Sequence, residues 1–145
     1  MRDADWRLGL ADWLAGDRAV LGLPASPGLD ELAEQVALSG FEPVAIDFTP
    51  IADKAGLMAA MREALGLDGW FGANWDALGD ALFGPEEPVE RATVLLLSLP
   101  SAGAALDAAD FDTLLQIIRD VAGSGRSTLK GAIVLGGSPF SGPWR

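Results

Sequence analysis

Two short runs of apolar residues restrict the folds open to this chain. The first is T-V-L-L-L-S-L at Thr93–Leu99, and the second is A-I-V-L at the end of Gly131–Leu135. A continuous apolar run between turn residues is typical of a strand that is covered on both faces, as in a parallel sheet. We therefore expect a sheet with helices packed against it.

Helical and strand-like patterns alternate along the rest of the chain. The predicted helices are Asp5–Leu14, a segment from Asp30 to Gly40 with Leu32, Val36 and Leu38 as its apolar residues, Asp53–Leu65, a segment beginning at Asn74, and a segment from Asp110 to Gly123. Arg18–Leu23 and Phe41–Phe48 are two further predicted strands. This alternation predicts an α/β fold with a mainly parallel sheet of three to four strands, in two or three layers.

Composition excludes several classes of function. The 145 residues carry a formal charge of -11, and the sequence pI is about 4.2. A chain this acidic repels nucleic acid and is suited to a basic protein partner. Cysteine and histidine are both absent, which removes disulfides, thiol nucleophiles and the commonest zinc ligands. We expect no cofactor and no metal.

No stretch of the sequence predicts a signal peptide or a membrane span. The N-terminal segment carries Asp3 and Asp5, and the longest apolar run, near Val94–Leu97, is far too short to cross a bilayer. A chain of this length can bury a core of its own. We expect one domain over residues 1–145, a cytoplasmic location, no membrane partner and a monomer.

An acidic helix is predicted within Leu65–Gly84, after a glycine-rich loop. Asn74 is a favoured N-cap, and Asp76 falls in the first turn, where the helix dipole favours negative charge. Asp76 and Asp80 share one face, and like charges four residues apart cost an isolated helix roughly 0.2–0.5 kcal/mol. The pair therefore does not serve the helix's own stability. No Lys or Arg occurs within Gly66–Glu90, so we expect a strongly negative potential there.

The loop before this helix contains Trp70 and Phe71, for which two interpretations stand. If exposed, the two rings and the acids would form a mixed aromatic and anionic surface suited to a cationic partner. If buried, the rings fill the core, as aromatic residues more often do, and the acids are only a solvated face. The pattern alone does not choose between them.

The segment resembles the central part of the barstar family, the small proteins that inhibit barnase-type ribonucleases. The matching residues are Trp70-Phe71-Gly72, Asn74, Asp76-Ala77-Leu78 and Asp80. The order of predicted strands and helices from Phe41 onward is also similar to the barstar pattern. The resemblance implies a barstar-like core at residues 41–136, an N-terminal extension at residues 1–40 that widens the sheet by one strand, and an irregular tail at residues 137–145.

The resemblance implies a role for three acids. Asp76 and Asp80 match the helix acids that reach into the ribonuclease active site, where carboxylates take the place of substrate phosphate and accept hydrogen bonds from Arg and His. Asp120 lines up with an acid on a later helix that contacts a basic residue of the enzyme. Its side chain is one carbon shorter than that acid and reaches less far.

The resemblance assigns further contacts to the loop and the start of the helix. Trp70 matches the aromatic residue that packs on the enzyme's catalytic histidine, although it lacks the phenol hydroxyl. Phe71 and Gly72 match the neighbouring loop contacts. Asn74 matches the Asn that opens the helix.

Two residues depart from the family pattern. Gly79 stands where the family has an exposed Trp immediately before its second helix acid, and Phe83 stands where the familiar inhibitor has Thr. Both residues belong to the expected partner-binding surface or its border, so we expect a target with a differently shaped rim. Gly79 has a second interpretation, as a place where another backbone comes close.

The sequence thus predicts an inhibitor or immunity-type protein, without catalytic residues, that blocks a basic ribonuclease or related nuclease toxin by mimicking phosphates. Two alternatives stand beside it. An acidic interaction module would use the same face to bind a protein that is not a nuclease. A hydrolase would use Asp76 with Asp80 or Asp120 as an acid/base pair or a Mg²⁺ site.

Overall fold

The computed structural model describes residues 5–23, 28–66, 74–83, 91–98, 108–124 and 127–135. Helices and strands alternate through these residues, as predicted. The elements in chain order are α1 (Asp5–Ala15), β1 (Val20–Leu23), α2 (Leu29–Leu38), β2 (Glu42–Asp47), α3 (Lys54–Leu65), α4 (Trp75–Phe83), β3 (Thr93–Ser98), α5 (Ala108–Gly123) and β4 (Leu129–Leu135). The predicted tail at residues 137–145 lies outside the described residues.

The four strands form one sheet in the order β1-β4-β3-β2. Every pairing in it is parallel, with Leu95 of β3 opposite Ala132 of β4 and Val20 of β1 opposite the same Ala132. Strand β1 therefore widens the sheet by one strand, as the resemblance implied, and it lies beside β4. The α/β prediction with a parallel sheet is confirmed.

Helices cover both faces of this sheet, so the fold has three layers. Successive side chains of a strand point to opposite faces, and β3 shows this directly. Its Leu95 and Leu97 pack against α3, α4 and α5, whereas its Val94 and Leu96 pack against α1 and α2. All four side chains are 0% exposed. The continuous apolar run predicted a strand covered on both sides, and this is confirmed.

Helix α3 has the expected cap at each end. The Asp53 side chain accepts a hydrogen bond from the Gly56 amide at 2.8 Å, which starts α3. Gly66 ends the same helix in the left-handed conformation, with φ 66°, where an L side chain would be strained. Both caps of α3 therefore come from residues next to it in the sequence.

The three apolar residues named in α2 do not all face the core. Leu32 and Val36 are buried, but Leu38 is 73% exposed. Residues two positions apart do not share a helix face, so Leu38 points away from the side that Val36 buries. The start of α2 also differs slightly, since Gly28 occupies the N-cap.

The N-terminal extension is fastened to β4 by close contacts. A Cβ atom placed on Gly131 would lie 2.0 Å from the Ala19 carbonyl oxygen, which accepts a hydrogen bond from the Ala132 amide at 2.8 Å. Lys130 donates to the Gly16 carbonyl at 2.7 Å, and its Nζ lies 4.7 Å from the centre of the Trp13 ring. Desolvation lowers the pKa of Lys130, although the charge of Asp17 opposes that shift.

Candidate functional site

The acidic helix α4 begins where the sequence predicted. The Asn74 side-chain oxygen accepts a hydrogen bond from the Ala77 amide at 2.8 Å, and the Asn74 carbonyl accepts one from the Leu78 amide at 2.9 Å. This is the N-cap geometry that satisfies amides which the helix itself leaves unpaired. Asn74 thereby fixes the start of α4 and the direction in which its first turn points.

Two acids project from α4 into solvent. Asp76 and Asp80 are both exposed, whereas Leu78 is 0% and Leu82 is 4% exposed. Because Asp76 and Asp80 are one turn apart, they share a face of the helix. We call these two residues the acidic face. Burial of Leu78 and Leu82 holds α4 against the core and leaves the acidic face exposed to solvent.

The other end of α4 is tied to the beginning of β4. The Ser127 hydroxyl lies 3.1 Å from the Leu82 carbonyl oxygen and 3.2 Å from that of Phe83, and the Thr128 amide donates to the Phe83 carbonyl at 3.3 Å. The last carbonyls of a helix have no partner within the helix. Ser127 and Thr128 supply partners for them. Sequence reasoning missed this contact, because nothing near Ser127 indicates a helix 44 or 45 residues earlier.

Gly79 lies where α4 meets α5. A Cβ atom placed on Gly79 would lie 3.7 Å from Ile117 Cγ2, an ordinary van der Waals distance. Within the described ranges no backbone atom of another segment comes that close, so the close-approach interpretation of Gly79 finds no support there. Phe83, the other departure from the family pattern, is partly buried and packs against the core beneath α4.

Asp120 lies on the neighbouring helix α5 and is exposed. Its carboxylate accepts a hydrogen bond from Gln116 Nε2 at 2.9 Å, an i,i+4 pair on one helix face. Asp120 is one turn beyond Ile117, the residue that faces Gly79. The structure thus brings the helix that carries Asp120 against the helix that carries the acidic face.

A lysine from α3 reaches the start of α4. Lys54 Nζ lies 5.3 Å from the centre of the Trp75 ring, within the range of a cation–π contact. Trp75 is partly buried and packs against the core. The sequence around the acidic face contains no basic residue, so Lys54 is a cation that only the fold could bring there.

Three of the predicted site residues precede α4 in the sequence. Trp70, Phe71 and Gly72 lie outside the described residues. Among the residues that are described, no three His, Cys, Asp or Glu side chains are close enough together to hold a metal ion. No helix in this part of the chain is long and apolar enough to cross a membrane.

The fold is similar to parts of two larger solved proteins. Cdc6p from Pyrobaculum aerophilum matches with a TM-score of 0.55 and 17% identity, over 91% of this chain and 36% of that protein. The ORC2 protein from Aeropyrum pernix, solved as ADPNP–ADP complexes, matches with a TM-score of 0.53 and 15% identity, over 92% of this chain and 39% of that protein. This chain thus spans well under half of each, and at such identities the likeness shows the fold alone. No curated protein matches the chain.

A family model gives the more specific result. The model described as "Barstar (barnase inhibitor)" matches residues 41–135, from the residue before β2 to the last residue of β4. The match includes all of α3, α4 and α5, and therefore Asn74, Asp76, Asp80 and Asp120. It covers about two thirds of the sequence, and the chain belongs to the barstar family.

Proposed function

We propose that this protein binds a basic ribonuclease or a related nuclease toxin and blocks its active site with α4. The observation that carries the proposal is the exposed pair Asp76 and Asp80 on a helix held at both ends, by Asn74 and by Ser127, in a chain that belongs to a family of barnase inhibitors. The protein acts by occupying the site and catalyses nothing itself.

The chemistry of the acidic face suits such a target. A nuclease active site holds phosphate with cationic side chains, and carboxylates accept charge-assisted hydrogen bonds from the same groups. Two like charges one turn apart repel each other, and a basic partner removes that repulsion. The formal charge of -11 adds attraction at a distance, an effect for which the barnase–barstar complex is itself the reference case.

The proposed partner-binding surface extends beyond the acidic face. A stable interface of ordinary size buries about 800 Å² on each partner, more than two side chains supply. The residues proposed to contribute are Trp70, Phe71, Gly72, Asn74, Asp76, Gly79, Asp80, Phe83 and Asp120. We place Asp76 and Asp80 at its centre, because fully desolvated residues near the middle of an interface dominate its affinity.

Titration into a ribonuclease assay tests the proposal. The purified protein is added to a barnase-type enzyme beside two variants, Asp80→Asn on the acidic face and Asp12→Asn on α1. Asp12 is a matched control, since it is exposed on a helix that covers the opposite face of the sheet. We expect one-to-one inhibition by the parent and by Asp12→Asn, and a dissociation constant at least about thirtyfold higher for Asp80→Asn.

Two outcomes would contradict the proposal. Equal inhibition by the parent and Asp80→Asn would show that the acidic face does not act as a phosphate mimic. No inhibition by the parent, repeated with other basic ribonucleases and nuclease toxins, would point instead to a basic partner that is not a nuclease. Measurements at low and moderate salt add a further check, because charge-steered association slows as salt rises.

A further inference from the structure

Lys54 occupies an unfavourable position in its own helix. It is the first residue of α3, directly after the N-cap Asp53. The N-terminal end of a helix carries a partial positive charge, which stabilises acids and destabilises cations near it. The stability of α3 therefore does not explain why a lysine stands there.

The Trp75 ring positions the Lys54 ammonium without using its hydrogen-bond donors. Lys54 Nζ lies 5.3 Å from the centre of the ring, and a cation–π contact engages the charge but leaves the three N–H groups available. The one ion pair among the described residues joins Arg7 to Glu31, and Lys54 is exposed. Within the part of the chain that the structure describes, Lys54 thus presents a positioned ammonium that has no carboxylate partner.

The other lysine of the chain has a structural contact of the same kind. Lys130 Nζ also lies over a tryptophan ring, that of Trp13, at 4.7 Å, but Lys130 is partly buried and donates a hydrogen bond of 2.7 Å to the Gly16 carbonyl. Lys130 therefore joins two parts of the fold. Among the described residues the Lys54 ammonium has only the ring contact, and its donors stay in solvent.

Lys54 lies beside the acidic face. Trp75, which it contacts, is the residue immediately before Asp76. An interface that buries about 800 Å² on each partner has a radius of roughly 16 Å. Centred on Asp76 and Asp80, an interface of that size reaches the Trp75 ring and the ammonium 5.3 Å from its centre. The proposed partner therefore covers Lys54 as well as the two acids.

A partner that is basic throughout cannot cover Lys54 favourably. Like charges that meet across an interface weaken binding strongly. An ammonium that loses its water also needs an acceptor in exchange. A carboxylate on the partner supplies both the acceptor and the opposite charge.

We infer that Lys54 pairs with a carboxylate on the protein partner, at the border of the basic surface that Asp76 and Asp80 bind. The inference rests on the proposed function and adds a residue that selects among basic partners. The acidic face attracts any cationic site, whereas Lys54 rejects a partner that carries another cation at this border.

Selection from a library tests this inference with a stated probe. The probe is a barnase-type ribonuclease, inactivated for display, with the surface positions around its active site randomised. One selection uses the parent protein and a second uses Lys54→Glu. We expect the parent to enrich Asp or Glu at one position of the enzyme surface, and we expect Lys54→Glu to enrich Lys or Arg at that same position.

Arg18→Glu is the matched control, because it changes the net charge by the same amount. Arg18 is exposed and precedes β1, whereas Lys54 follows β2. These strands are the opposite edges of a parallel sheet, so the two cations lie at opposite ends and opposite edges of it. Arg18→Glu should enrich Asp or Glu at the same position as the parent does.

Affinities of the selected enzymes give the quantitative test. Lys54→Glu should bind an enzyme with the enriched carboxylate at least about tenfold more weakly than the parent does, whereas Lys54→Arg, which keeps the charge, should bind within about threefold. Lys54→Glu should regain affinity for the enzyme that carries Lys or Arg at that position. A residue that only supported α4 could not be rescued by a change in the partner.

Circular dichroism and thermal unfolding establish that each variant is folded. Lys54→Glu places an acid in the first turn of α3, which favours the helix. If Lys54→Glu does not fold, Lys54→Gln serves in its place, and it should no longer enrich a carboxylate at the selected position.

The outcomes separate this inference from the proposed function. Enrichment of the same residue by the parent and Lys54→Glu, or no carboxylate enrichment by the parent, would overturn the inference. If Asp80→Asn still lost binding in that case, the phosphate-mimic proposal would stand. If Asp80→Asn bound every selected enzyme as well as the parent does, the proposed function would fail and the inference would fail with it.

Discussion

Ser127 donates a hydrogen bond of 3.1 Å to the carbonyl oxygen of Leu82, across 45 residues of sequence. Its oxygen also accepts one from the Leu129 amide at 3.0 Å, in the first residue of β4. The position of the acidic helix is therefore set by the sheet at its C-terminal end, in addition to the Asn74 cap at its start.

Substitution of Ser127 by Ala should loosen the end of α4. The change leaves a part-buried carbonyl without its partner, so we expect a loss of about 1–2 kcal/mol in the free energy of unfolding. Urea unfolding measures this. Ser39→Ala is the matched control, because the Ser39 hydroxyl also donates to a helix carbonyl, Gln35, but does so at an exposed site. A loss no larger than that of the control would mean that Ser127 does not anchor α4.

Substitution of Gly131 by Ala should be far more damaging. The new Cβ would lie 2.0 Å from the Ala19 carbonyl oxygen, and Gly131 has φ 150°, which L side chains rarely adopt. We expect a loss of about 3 kcal/mol or more, because β1 and β4 must separate to admit the methyl group. Gly79→Ala is the control, and it should raise stability by about 0.5–1 kcal/mol. Thermal unfolding that ranks the two variants in the opposite order would contradict this account.

Asp47 should contribute to the fall in the free energy of unfolding at acid pH. Hydrogen bonds from the Thr49 hydroxyl and the Thr49 amide hold the pKa of Asp47 below its usual value of 3.8. The folded state thus favours the ionised form, so the stabilisation is present at neutral pH and disappears as pH falls through the lowered pKa. Asp47→Asn should flatten the pH dependence of the unfolding free energy below about pH 5.

Urea titrations of Asp47→Asn and of the parent between neutral and acid pH measure this effect. Thr49→Ala, which removes only the hydroxyl donor, should give an intermediate result. If the free energy of unfolding changes with pH equally for the parent and Asp47→Asn below pH 5, the hydrogen bonds from Thr49 to Asp47 do not persist in solution.

Removal of residues 1–40 should leave the barstar-like core unable to stay soluble. The deletion takes away α1, β1 and α2 and uncovers Val94, Leu96, Ile133 and Leu135, each at most 4% exposed in the whole chain. A large exposed apolar face leads to association. Size-exclusion chromatography with light scattering measures this, and we expect the fragment of residues 41–145 to aggregate and the full chain to elute as a monomer. If the fragment is instead soluble and monomeric, residues 1–40 are not needed to cover the core and form a separate structural unit.

Most of the fold could be predicted from interactions between residues that are close in the sequence. Asp53, Gly66 and Asn74 act through neighbours within a few residues, so their effect on helix ends can be recognised in the sequence. The apolar run at β3 showed that both sides of the sheet are covered. Leu38 is exposed although its side chain is apolar, because helical spacing places it away from the face that Leu32 and Val36 bury.

The candidate site was predictable only where one helix determines it. Asp76 and Asp80 are paired by the 3.6-residue repeat alone. Lys54, Ile117 and Ser127 come to α4 from three other parts of the chain. The sequence around each of these residues does not indicate its contact with α4, because the contact arises only from tertiary packing. The family resemblance supplied Asp120, and the residues alone would not have singled it out.

The position of β1 in the sheet determines when during synthesis this strand can pair. In the described sheet β1 pairs with β4, so the earliest of these four strands in the sequence finds its partner in the latest of them. While residues up to β3 emerge from the ribosome, α1 and β1 have no neighbouring strand to join. The sheet closes when Leu129–Leu135 becomes available, and until that moment a nascent chain displays an unpaired strand edge to chaperones and to other nascent chains.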